Sequence, residues 1–520
     1  MALNYDNSVA ALADVPASQR QRVLSGMRWS VWLSILAVPC GAAINLLLAR
    51  VGPETIGVYG LLSVYIALIT SFLYFGGDPV VIKFVPECNI NDRPAFLASY
   101  LLVVLGFAAL MVALAYFYPA AVRLVLGQRM NDRNVLLVLA LAPMPILFFA
   151  VVACLKGMLE IRFAQLLSKL LPITSLVAYA IVFTVHRRLL IAEAMFVIWG
   201  IYLGITAVLA ATGLIQVFRL CGVPPIHFYL PKGFWRYSLD TQQVGLVSFL
   251  AGRLDYVLII NFGGLAMLGR YVAVTAVAAT VPLMNGLIMD TLLPCLTNMI
   301  AARNYNAAVQ VFMMHMRILF IVTMASCAVM TVLAVPAAAV MGPKYRSLVS
   351  LIILMTILQG IASPGFFGGI LLASVGRQRL VNWAGLLYAT VFSGLFFPLW
   401  HRWGLAGTVV AYGAAAIVSR WALMIIALKT AQIFPSIIVL WAKAALVQTA
   451  MGIVVLWCMP FRPFGIALVC IIGGAAFLRI TGYSIAEVEA LLQTFAPGFA
   501  RIRTRRSEST REQSPEVAST

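Results

Sequence analysis

The chain has 520 residues, 63% of them hydrophobic and 10% charged, with 36 Lys and Arg against 17 Asp and Glu for a formal net charge of +19. Globular domains run about 45–50% apolar and about 25% charged, so a soluble protein is excluded. Runs of about 20 apolar residues recur along the chain, enough to cross a ~30 Å hydrocarbon core as helices, whereas a β-barrel would show short alternating segments. The basic excess sits in short connections, the pattern of cytoplasmic loops rather than of a nucleic-acid surface. Four histidines lie far apart and the eight cysteines form no C-x-x-C pair, so neither metal nor cofactor is expected. No G-x-x-x-x-G-K-[ST] loop is present for ATP.

In chain order, residues 1–26 are polar and mixed, unlike a cleavable signal peptide, and read as a cytoplasmic N-terminal segment. The first six predicted spans are 27–49, 55–76, 95–118, 134–154, 164–185 and 191–217. The stretch 219–237 follows as a linker, then 238–262, 266–292, 316–341, 347–374, 380–400 and 405–428. Two further spans, 436–458 and 463–480, bring the total to about 14, the expectation for an all-α polytopic membrane protein. Gly and Pro in the second, eighth and tenth spans allow kinks. With the N-terminus inside, twenty-one Lys and Arg fall on the cytoplasmic side against ten outside, which predicts both ends in the cytoplasm. Residues 481–520 read as a cytoplasmic tail, amphipathic through Ile485, Val488, Leu491, Leu492 and Phe495, then polar and disordered.

The connection between the first two spans carries G-x-x-x-x-G-x-Y: Gly52, Gly57 and Tyr59. Gly264, Gly269 and Tyr271 repeat it between the seventh and eighth spans, and 264 − 52 = 212. The same offset carries Asp78 onto Asp290. A duplication is expected, with lobes at 27–218 and 238–428. Each half begins on the same side, so the repeat would be parallel. The glycines would let helices pack closely and rock.

Charges at membrane depth face a partner or a wet cavity. On the seventh span Gln242, Gly245, Phe249, Gly252, Arg253 and Tyr256 share one helical face. Asp255 lies roughly 160° away from Arg253, too far round for an intrahelical pair. Arg253 therefore needs a carboxylate on another helix or an anionic substrate. Lys169, Arg270, Arg420 and Lys443 could enter a cavity, but snorkelling to an interface is the favoured reading for each. Asp240, Asp255 and Asp290 are candidates to carry a coupling cation, while the first five spans offer only Asp78 at a membrane edge. Lys83 and Glu87, four apart, either pair along a helix or sit in a solvated inner loop.

The run "LLLARVGPETIGVYGLLSVYIALITSFLYFGGDPVVIKFVPE" resembles the start of the polysaccharide flippases of the multidrug/oligosaccharidyl-lipid/polysaccharide (MOP) exporter superfamily, through Arg50, Gly52, Pro53, Glu54, Gly57, Gly76, Gly77, Lys83, Pro86 and Glu87. Lys83 stands where that family often has Arg, which keeps the charge without the planar fork. Arg253, Asp255, Gly264, Gly269 and Tyr271 are similar to its second-half signature, and Gly404 and Gly407 to its twelfth span.

The resemblance implies two six-helix lobes around a V-shaped cavity, with two added C-terminal helices. It implies a non-enzymatic transporter of the bacterial inner membrane that flips polyprenyl-diphosphate-linked oligosaccharide by alternating access. A polysaccharide polymerase and chain-length or export proteins would be partners beside membrane lipids. Arg253, Gln242, Tyr256, Asp255 and Lys169 are the candidates to line the cavity. Gly52, Gly57, Tyr59, Gly264, Gly269, Tyr271, Asp78, Lys83, Glu87 and Asp290 are the candidates to act in conformational change. The alternative is a cation-coupled drug or metabolite antiporter of the same superfamily, against which the acid-poor first half argues. A membrane enzyme would need a large external loop or an in-membrane His with a carboxylate, and neither is present.

Overall fold

The computed structural model describes residues 39–120, 143–185, 191–282 and 305–430, apart from a few positions within them, and a few single residues elsewhere. Every element among the described residues is helical. The order is α1 (Pro39–Val51), α2 (Pro53–Phe72), α3 (Gly77–Glu87), α4 (Arg93–Phe117), α5 (Pro143–Gly157), α6 (Ile161–Val185) and α7 (Ile191–Cys221). Then come α8 (Phe234–Ala278), α9 (Tyr305–Met341), a 3₁₀ turn (Pro343–Leu348), α10 (Val349–Ala362), α11 (Pro364–Ser374), α12 (Gln378–Trp403) and α13 (Leu405–Thr430). Eight helical segments among the described residues are long and apolar enough to cross a membrane. The chain is thus an all-helical, multi-pass membrane protein. The expected spans over 436–480, the tail, Asp290 and Lys443 lie outside the described residues.

Five predicted spans match a helix within four residues at each end, and the second, seventh, eighth and tenth differ for visible reasons. The second does not run to residue 76. It stops at Phe72, because Phe75, Gly76 and Gly77 take left-handed backbone at φ 35, 84 and 65. The segment after it, where a solvated loop was one of two expectations, is the helix α3. The seventh and eighth spans form a single bent rod, α8, broken at Gly264 with φ 75 and ψ −177. That conformation is essentially restricted to glycine, so the two arms depend on Gly264. The tenth span is interrupted at Ser363, which keeps helical backbone at φ −55 and ψ −37, because Pro364 after it has no N–H to donate back into the helix.

The most extensive helix pair is α2 against α8. It is built on glycine. A Cβ on Gly57 would collide with the Leu265 carbonyl and crowd the Gly269 nitrogen; a Cβ on Gly269 would fall on the Pro53 carbonyl and the Gly57 nitrogen. With no hydrophobic drive between helices in lipid, such close backbone approach is a main source of association. Further along, Gly60 faces Val272, again 212 residues apart. The chain breaks at Gly52 and at Gly264, and α4 and α9 start at Arg93 and Tyr305, where 305 − 93 = 212. Outside this seam, Trp199 of α7 stacks on Tyr65 at 5.0 Å and donates from its indole N–H to the Val58 carbonyl at 3.3 Å.

Candidate functional site

A cavity of about 290 Å³ opens beside the α2–α8 seam. Its walls come from Asn45 of α1, Tyr59, Gly60 and Ser63 of α2, and Gly252, Arg253, Asp255 and Tyr256 of the first arm of α8. The second arm adds Val272, Thr275, Ala276 and Ala279; Gln359 of α10 and Tyr412 and Arg420 of α13 complete it, with Pro282 at its edge. Three lining side chains are charged: two guanidinium groups and one carboxylate.

Asp255 is 2% exposed, the one fully buried charged side chain among the described residues. The Tyr271 hydroxyl donates to its Oδ2 at 2.6 Å, a short charge-assisted bond. The Tyr256 ring packs edge-on against Tyr271 at 5.6 Å, and its hydroxyl shares a 3.1 Å bond with Thr275 Oγ1. These contacts hold the carboxylate and its neighbours still. The Arg253 guanidinium lies over the Tyr256 ring at 5.1 Å, and the Arg420 guanidinium over the Phe366 ring at 3.9 Å. Among the described residues neither arginine has a carboxylate within ion-pairing distance. Both are only partly buried, so each presents cationic N–H donors to the cavity.

The structure sorts the sequence candidates. Arg253, Asp255, Tyr256 and Tyr59 reach the cavity, and Tyr271 backs it through Asp255. Although 160° apart in projection, Arg253 and Asp255 line the same space, because the bend of α8 and the packed second arm wrap around the first. Gln242 does not reach it. Its carboxamide donates to the Phe72 carbonyl at 3.0 Å and to the Ser71 carbonyl, and accepts from the Gly76 N–H at 2.9 Å. Gly245 and Phe249, expected on the cavity face, pack on Ser71 and Phe72 in the same contact. Lys169 is half-buried on α6 and lines no part of the cavity. Lys83 does not pair with Glu87: it sits over the Tyr237 ring at 4.2 Å, and Glu87 stays exposed at the end of α3. Asp78 lies in the first turn of α3. Arg270 is exposed.

Gln359, Tyr412 and Ser63 line the cavity without being singled out in the sequence, and Arg420 lines it against the favoured reading. Arg420 was read as snorkelling; its depth in an otherwise uncharged run was the available signal. Ser63 could have been found from the repeat, since 63 + 212 = 275 and Thr275 lines the same cavity.

No family model matches the chain, and no curated protein does. Solved structures do. The fold is that of MOP superfamily transporters. A lipid II flippase, MurJ, in its inward closed conformation, superposes with a TM-score of 0.66 at 14% identity, over 91% of this chain and 99% of the other. An inward-facing multidrug resistance MATE transporter gives 0.61 at 13% identity, over 78% and 98%. A MOP superfamily transporter from Pyrococcus furiosus, described by the reverse polarity of its binding pocket, gives 0.56 at 14%, over 82% and 98%. At such identities the likeness is one of MOP architecture, and the lining of the cavity has to speak for itself.

Proposed function

We propose that this chain flips a polyprenyl-diphosphate-linked oligosaccharide across the bacterial inner membrane by alternating access, in surface or exopolysaccharide synthesis. The observation that carries this reading is the pair Arg253 and Arg420: two cavity guanidiniums, neither in an ion pair among the described residues, on a fold shared with a lipid II flippase. Guanidinium forks match phosphate oxygens bidentately and are always charged, which suits a diphosphate. Ser63, Thr275, Gln359 and the tyrosines Tyr59 and Tyr412 supply the hydrogen-bonding and aromatic walls that a sugar needs. A volume near 290 Å³ admits a diphosphate and a first sugar; a longer head group needs the walls to part.

The recurring 212-residue offset supports two lobes, 27–218 and 238–428, that move as units about the α2–α8 seam. The charges are not duplicated: 253 − 212 and 420 − 212 fall on Gly41 and Val208. The cationic site would thus belong to the second lobe, with the first as a largely uncharged wall. Both termini would be cytoplasmic, and a polysaccharide polymerase and chain-length or export proteins would act on the delivered product.

Deleting the gene should trap lipid-linked repeat units on the inner leaflet; surface polysaccharide at the wild-type level would contradict the proposal. One observation favours the second reading, a cation-coupled drug or metabolite antiporter: Asp255 is a carboxylate in the cavity wall. Ion-gradient-driven dye efflux from vesicles, abolished by Asp255→Asn, would decide for that reading.

A further inference from the structure

The α2–α8 seam is closed at both ends by different means. At one end the closure is steric: the backbones meet at Gly57 and Gly269. Beside it, Arg50 Nε of α1 donates to the Val340 carbonyl at the end of α9 at 3.1 Å. At the other end, where Gly76 also packs on the Ser238 backbone, a side chain ties the two helices together. Helix α2 stops at Phe72 with terminal carbonyls that no following turn satisfies. The left-handed residues after it leave the Gly76 N–H pointing off the helix as well. Gln242, 166 to 171 residues away on α8, meets all three groups with one carboxamide. Gly245 lies against the Ser71 backbone here, a Cβ on it falling 3.4 Å from the Ser71 carbonyl oxygen. Between the two closures lies the cavity.

We infer that Gln242 is a latch, whose three hydrogen bonds to the end of α2 must break for the cavity to open at that end. The chemistry suits a latch. When the bonds break on the water side, the Ser71 and Phe72 carbonyls, the Gly76 N–H and the free carboxamide all find water, so the net cost per bond is small. Opening toward lipid would leave the same groups unsatisfied, which fixes the direction of opening as aqueous. Around the polar centre, Phe72 packs edge-on to Phe249 at 6.0 Å and Phe75 edge-on to Trp235 at 5.6 Å, so the closed state also excludes water. Under the charge bias of the connections this end faces the cytoplasm, where a substrate would enter.

The inference rests on alternating access and not on the oligosaccharide, and the test reads the gate without any substrate. Ser63, in the cavity wall, is replaced by Cys in the full chain, and its reaction with a membrane-impermeant maleimide is timed after subtraction of the native cysteines. Gln242→Leu removes every latch bond. Gln242→Glu keeps the acceptor for Gly76 but turns a carboxylate on two carbonyls. Both should raise the labelling rate by about tenfold. A disulfide between S71C and G245C, which leaves Gln242 in place, should suppress labelling until it is reduced; the two positions are in contact, a Cβ at 245 lying 3.6 Å from the Ser71 Cα. Labelling unchanged in Gln242→Leu and Gln242→Glu, or unaffected by closing and reducing the disulfide, would overturn the latch. A chain with latch-dependent labelling that moves no lipid-linked sugar would keep the latch and lose the proposed substrate.

Discussion

Gly57 and Gly269 meet backbone to backbone, and each blocks the space in which the other's Cβ would lie. The contact is reciprocal: Gly57 is pressed on Leu265, and Gly269 on Pro53, which are the same pair under the 212-residue offset. A motif that reads in sequence as a plain turn is therefore the seam where its two copies touch.

Gly57→Leu or Gly269→Val should be strongly destabilising, since overpacking costs about 1–3 kcal/mol even where neighbours can shift, and here they are backbone. Gly52→Ala is the control, because the nearest atom to its Cβ would be Thr55 Oγ1 at 4.0 Å. Thermal unfolding of purified protein in detergent should show a clear loss for the first two variants and little change for the third. Equal melting of all three would show that the crossing is not tight.

Tyr271→Phe removes the donor to a buried carboxylate, which should cost about 1–3 kcal/mol. Asp255→Asn in the same chain should cost less than it does alone or than Tyr271→Phe predicts, because the orphaned charge is gone. A double-mutant cycle on unfolding reads this as a coupling energy. Strict additivity would mean that the bond contributes nothing.

The cationic pair gives a contrast with Lys169. Arg253→Gln and Arg420→Gln should each weaken binding of a polyprenyl diphosphate at least about tenfold, the effect of losing one charge-assisted contact of ~1.4 kcal/mol. Lys169→Gln should leave it unchanged, as Lys169 lies outside the cavity. Titration of the purified protein with a fluorescent polyprenyl diphosphate measures all three. An effect at Lys169 matching those at the arginines would move the site.

Much of the fold is legible in the sequence, because a helix that crosses lipid must satisfy its backbone internally and be apolar over most of its length. That is why α4, α6, α7, α12 and α13 fall within four residues of their expected limits. What failed was what periodicity does not carry. The end of α2 is set by positive φ at Phe75 to Gly77, and the union of two spans by Gly264, which bends a rod rather than ending it. At the site, helical projection puts Arg253 and Tyr256 on the face that lines the cavity. It misplaced Gln242, because one face of a 45-residue helix can serve the cavity along part of its length and a neighbouring helix along another. Arg420 reads as snorkelling because depth alone does not tell a cavity from an interface; its neighbour Phe366, on α11, is not visible from the helix that carries it.

The most direct measurement is translocation itself. The purified full chain in proteoliposomes, given a fluorescent polyprenyl-diphosphate disaccharide in one leaflet, should move the label to the other far faster than protein-free vesicles. Arg253→Gln with Arg420→Gln should return it to the background rate. Translocation at the wild-type rate by the doubly substituted protein, or none by the wild type alongside gradient-driven dye efflux, would contradict the account.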